Sequence, residues 1–127
     1  MKTIMDYVTA AHGNAKDKGF YETDRNIGEA LMLIVSELGE ALEAHRKGIH
    51  TIPYSQNQLY EAIPKLTTQK WAELFGDLIK DTFEDEIADV FIRLFDLCGY
   101  LDIPIEKHIE MKMKYNSTRP IRHNKRY

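Results

Sequence analysis

Two short segments carry carboxylates at a spacing that can do chemistry. Ser36-Glu37-Leu38-Gly39-Glu40 sets Glu37 and Glu40 three residues apart, and Glu86-Ile87-Ala88-Asp89 does the same for Glu86 and Asp89. Residues three apart are neighbours on one face of a helix. At about 100° per residue, the first pair lies roughly 80° and 140° to one side of its apolar stripe. The second pair lies roughly 100° and 160° to the same side of its own stripe. If the stripes pack together, all four acids can converge along one edge. Such a cluster repels itself and is costly to desolvate unless cations or protons neutralise it. An all-oxygen set suits Mg²⁺, with Mn²⁺ as a substitute, better than zinc. A single pair at this spacing is more often two solvated helix acids; two pairs beside apolar stripes add a metal site as an alternative to that reading. A di-iron carboxylate bundle would place His three residues after Glu, and none of His12, His45, His50, His108 and His123 stands there. Small residues at Ala30, Gly39, Ala41, Ala44 and Ala88 are expected to leave room beside these helices.

The elements that must position these acids read as helices. No useful strand alternation and no Asn-Gly or Asp-Gly turn appears. Ile4, Tyr7, Val8 and Ala11 recur at helical intervals, with Gly19 as a stop. A second helix is expected from about Asn26 to Lys47, with the stripe Ile27, Ala30, Leu31, Ile34, Leu38, Ala41 and Leu42 facing inward. Residues 48–66, with Pro53, Pro64 and a polar run, read as an inserted loop holding one short helix near Gln58–Ile63. A third helix follows at about Thr68–Lys80, with Trp71, Leu74, Phe75, Leu78 and Ile79 inward. Asp81-Thr82-Phe83-Glu84 fits a capping pattern that either starts a fourth helix through Leu101 or marks a bend in a longer one. Pro104 opens a last helix to about Tyr115, and the basic tail after Asn116 is expected to be loop-like. The expected fold is therefore all-α, a single-domain bundle of about four to five helices over residues 1–127.

Composition bounds the function. The chain of 127 residues is 43% apolar and 29% charged, as in ordinary globular proteins. No apolar run approaches the roughly 20 residues that cross a bilayer, and the first residues lack a signal peptide's apolar stretch. A lone cysteine, Cys98, allows no intrachain disulfide and reads as a core thiol. A cytoplasmic protein without membrane or nucleic-acid polymer partners is expected. Charge is uneven: residues 107–127 carry a formal +6 and residues 1–106 a formal −9. That division is either a solvated basic tail or an acidic metal-binding body beside a segment that meets phosphates.

The order of these motifs resembles MazG-like proteins. Arg25-Asn26-Ile27 through Ser36-Glu37-Leu38-Gly39-Glu40-Ala41-Leu42-Glu43 is similar to their first motif helix, and Glu86-Ile87-Ala88-Asp89-Val90 to their ExxD motif. Lys112-Met113-Lys114-Tyr115-Asn116, followed by Arg119-Pro120, is similar to their C-terminal Lys/Asn element. The resemblance implies an all-α fold, a homo-oligomer, and Mg²⁺-dependent cleavage of a nucleoside triphosphate to monophosphate and pyrophosphate. It implies that Glu37, Glu40, Glu86 and Asp89 hold the metal, with one of them, Glu40 the candidate, orienting or deprotonating water. Lys112 and Arg119 would offset phosphate charge, and Asn116 would contact phosphate or sugar. His12, Phe20, Tyr21 and Asn26 lie near the first motif, where Phe20 or Tyr21 would stack on a base or simply pack between helices. Trp71 is expected in a core or interface. Ser36 stands where many such sequences have another Glu, and the 48–66 insertion lengthens the gap between the motifs. A phosphoribosyl-ATP pyrophosphohydrolase and a non-enzymatic helical binding module are the alternatives. Apolar surface left over by so thin a bundle predicts self-association, a tetramer in preference to a dimer.

Overall fold

The computed structural model describes residues 1–126 (backbone alone for 123 and 124). It is all-helical: α1 Ile4–Asp17, α2 Ile27–Arg46, α3 Pro53–Glu61, α4 Thr68–Leu78, α5 Phe83–Tyr100 and α6 Ile105–Ser117, with no strand among the described residues. Six α-helices therefore replace the expected four to five. Within the expected loop 48–66, α3 takes 9 residues and starts at Pro53, earlier than the short helix expected near Gln58–Ile63. Pro53 stands in its first turn, where a missing N–H costs nothing, so the proline that argued for a loop instead starts a helix. The tail also departs from expectation, forming a short 3₁₀ turn at Ile121–Asn124.

Caps fix the boundaries. Thr3 and Asp6 form a reciprocal capping box at α1. Asn26 Oδ1 accepts the Glu29 N–H at 2.9 Å and starts α2. Between α4 and α5 the chain breaks and does not merely bend, with Asp81 at φ 65°. The N-cap is Thr82, not Asp81: its hydroxyl accepts the Asp85 N–H at 3.2 Å and donates to the Ile79 carbonyl at 2.7 Å.

The chain divides into two compact units, residues 1–23 with 95–127, and residues 24–94. In the first, α1 and α6 are joined by the Ile4 N–H donating to Glu106 Oε1 at 3.0 Å. Tyr7 stacks on Phe95 at 6.1 Å between ring centres. The end of α5 passes so close to α1 that a Cβ on Gly99 would meet His12 Cβ at 2.6 Å, so only glycine fits there.

In the second unit the inward stripe of α2 splits in two. Ala30, Ile34, Ala41 and Ala44 are buried together with Glu37. Leu31, Leu38 and Leu42, expected inside, are each 48% exposed, and Val35 is 51% exposed. These larger residues lie roughly 100° round the helix from the alanines. The buried face is thus the small-residue face, which admits close backbone approach. On the part of α5 in this unit, Val90 is buried while Phe91 and Leu94 are exposed; on α4, Leu78 is exposed as well.

Candidate metal centre

The acids on α2 and on the start of α5 come together. One ligand oxygen from each of Glu37, Glu40 and Glu86 can be chosen so that all lie within 4.8 Å of one another. Glu37 and Glu86 are buried, at 9% and 6% exposure, and Glu40 stands at the open side. Asp89, one turn further along α5, is half-buried and lies outside that set of three. It still belongs to the same field. Burial raises its carboxyl above the usual range, Asp85, Glu37 and Glu40 add to the rise, and Arg93 opposes it.

Glu86 carries the largest perturbation. Burial pushes it from the ordinary 4.5 to about 7, aided by a hydrogen bond with Glu40 and by the charges of Glu40, Asp89 and Glu37. The neighbours that repel its charge favour a proton or a cation at Glu86. Arg93 supplies part of the missing positive charge, its Nε donating to Glu37 Oε1 at 2.7 Å.

Three residues near the centre were not singled out in the sequence. Arg93 stands four residues after Asp89, a spacing that puts it on the same helix face. Asp81 and Asp85 form a second close acidic group with Glu86. In it Lys80 Nζ lies 2.9 Å from Asp81 Oδ2, and the Asp81 N–H donates to Asp85 Oδ2 at 2.9 Å. The small residues need a correction. Ala30, Ala41 and Ala44 are buried, but Gly39 and Ala88 are exposed, and a Cβ on Gly39 would meet nothing within 4 Å. Gly39 is therefore not required by crowding within this chain.

A cavity of about 690 Å³ opens beside Asp89 and Asp85, walled by Tyr60, Trp71, Phe75 and Ile92. Trp71 stacks on Phe75 at 5.3 Å, and its Nε1 donates to the Leu59 carbonyl at 3.0 Å. The inserted segment and α4 thus build a wall next to the carboxylates, and Trp71, expected in a core or an interface, is half-buried in it.

The remaining candidates are placed as follows. Asn26 caps α2, which commits its carbonyl oxygen. Phe20 is 61% exposed in the first unit. Lys112, Asn116 and Arg119 also belong to the first unit, at the end of α6 and just beyond it. There Lys112 Nζ and Arg119 Cζ lie 5.0 and 5.5 Å from the Tyr115 ring centre. His12 and Tyr21 both contact Asp96, His12 Nδ1 at 3.0 Å and the Tyr21 hydroxyl donating at 2.8 Å.

The donor set is all carboxylate oxygen, close-packed and deficient in positive charge, which fits a hard divalent cation. Comparison of the chain with protein-family models, curated proteins and solved structures gives no match. No helix among the described residues is long and apolar enough to cross a membrane.

Proposed function

We propose that the protein is a Mg²⁺-dependent nucleoside triphosphate pyrophosphohydrolase, releasing nucleoside monophosphate and pyrophosphate. The observation that carries this reading is the convergence of Glu37, Glu40 and Glu86 within 4.8 Å. The motif order supplies the reaction class through its MazG-like resemblance. Triphosphate hydrolysis is limited by negative charge gathering at phosphorus and by placement of a water. Glu37, Glu40, Glu86 and Asp89 would hold Mg²⁺, which when bound neutralises phosphate oxygens and acidifies water. The chain's own contribution is orientation. Arg93 holds Glu37, and Glu40, at the open side, is the candidate to accept a proton from water. Lys112, Asn116 and Arg119 keep the phosphate-contacting role that the resemblance gives them.

In this reading the base enters the aromatic cavity beside Asp89, whose volume lies within the usual range for small-molecule sites. Phe20 and Tyr21, the rings first named for base stacking, belong to the first unit, and Asn26 caps α2. The chain is proposed to work as a homo-oligomer, a tetramer in preference to a dimer. The half-exposed Leu31, Leu38 and Leu42 on α2 support self-association.

The deciding experiment is pyrophosphate release from a nucleotide panel that includes phosphoribosyl-ATP, with Mg²⁺, with Mn²⁺ and with chelator. Metal-dependent release from at least one triphosphate is expected. No release from any member, by protein that binds Mg²⁺ and is folded, would overturn the reading. Light scattering at micromolar concentration checks the assembly, and a fully active monomer would refute it.

A further inference from the structure

His45, His50 and Glu84 form a chain of contacts in the second unit that the carboxylate centre does not use. His50 Nδ1 lies 3.0 Å from Glu84 Oε1, and Glu84 Oε2 accepts the Thr51 N–H at 2.9 Å. His50 Nε2 lies 3.2 Å from His45 Nδ1, and the two rings stand 89° apart. With the Glu84 carboxylate as acceptor, a proton on His50 sits on Nδ1, and His50 Nε2 accepts from His45 Nδ1.

A carboxylate on the far nitrogen is how proteins orient metal-binding histidines and raise their basicity. Two imidazole nitrogens on one tetrahedral ion, each at about 2.0–2.1 Å, stand about 3.3–3.4 Å apart. The observed separation of 3.2 Å is close to that edge. We propose that His45 Nδ1 and His50 Nε2 bind one transition-metal cation of the imidazole-preferring class, Zn²⁺, Ni²⁺ or Cu²⁺, with water completing its shell. On binding, the proton of neutral His45 sits on Nε2 in place of Nδ1, exchanged through solvent, and the ring turns its lone pair onto the ion. Imidazole selects these metals as oxygen selects Mg²⁺, so the two sites differ in cation. The site joins the last turn of α2 to the first turn of α5 through the loop between α2 and α3. These are the helices that carry Glu37, Glu40 and Glu86, and occupancy ties their ends together. The inference does not rest on the hydrolase reading.

Cu²⁺ titration of the untagged full chain in excess Mg²⁺, followed by electron paramagnetic resonance, tests it. Hyperfine coupling to two nitrogens is expected at one equivalent. H45N and H50N should each remove the two-nitrogen pattern and weaken binding at least about tenfold, while E84Q keeps both nitrogens and weakens binding about 10–100-fold. H108N should leave the pattern unchanged. An oxygen-only spectrum from the parent protein, an unaltered pattern in H50N, or its loss in H108N would overturn the assignment.

Discussion

Asp96 and Glu86 are both shielded acids, and they are partnered in opposite ways. Asp96, in the first unit, is surrounded by donors: the Tyr21 hydroxyl at 2.8 Å and His12 Nδ1 at 3.0 Å share its Oδ1. Tyr21 in turn stacks on Tyr100 at 4.9 Å, so the group is tied together by packing as well as by hydrogen bonds. Glu86, in the second unit, is 6% exposed and surrounded by acceptors, and it is pushed up to about 7. A buried acid among donors is complete as it stands and holds its unit together. A buried acid among acids is satisfied only by a proton or a cation. Burial alone does not separate structural from functional carboxylates; the sign of their neighbours does.

The strongest way to break this comparison is at Glu86. E86Q keeps the shape and removes the charge. It is expected to cut metal-dependent pyrophosphate release by at least about 100-fold. It should also stabilise the metal-free protein at pH 8 by on the order of 2 kcal/mol, because the repelled charge is gone. Denaturant unfolding with and without Mg²⁺ reads the second effect, and a loss of metal-free stability would place Glu86 with the structural acids. The mirror experiment is D96N, expected to destabilise the fold by about 2 kcal/mol through its two contacts and to leave the Mg²⁺-induced rise in Tm intact. A lost Mg²⁺ response there would erase the distinction between the two acids.

Smaller effects sharpen it. D89N should fold normally and lower turnover about tenfold or more, since Asp89 lies beside the set of three and shares its field. Turnover at the parent level would remove Asp89 from the ligand set. Stability should also track pH in a stated direction. Glu86 has a folded value above its ordinary one, so its contribution is full below about 4.5 and is lost as pH rises through about 7. Metal-free Tm is therefore expected to fall by a few degrees across that window. Saturating Mg²⁺, which competes with the proton, should offset the fall, giving a thermal shift that grows from pH 5 to pH 8. A shift independent of pH would show that the cation binds away from Glu86.

The sequence by itself determined the helices and the two carboxylate pairs, because period and caps are local properties. Gly19 reads as a stop from the sequence alone, and the caps Thr3 and Asn26 stand three residues from the N–H groups they satisfy. The 3-residue spacing of Glu37 with Glu40 needs no more than one helix to make them neighbours. Where a local signal was ambiguous, tertiary structure decided. Pro53 breaks a helix or starts one with equal ease, and α3 is the outcome. Thr82 displaced Asp81 as the cap because its hydroxyl reaches Ile79 and Asp85 together. The apolar stripe of α2 was legible as a stripe, but not which half is buried, since periodicity is the same for alanine and leucine. Only packing selects the small face, and it leaves Leu31, Leu38 and Leu42 exposed. Convergence of Glu86 with α2 brings together residues more than 40 positions apart in the chain. The Arg93 contact, the wall of Trp71 and Phe75, and the His45–His50–Glu84 chain are of the same kind. Their chemistry depends on distances between segments, which no local pattern encodes.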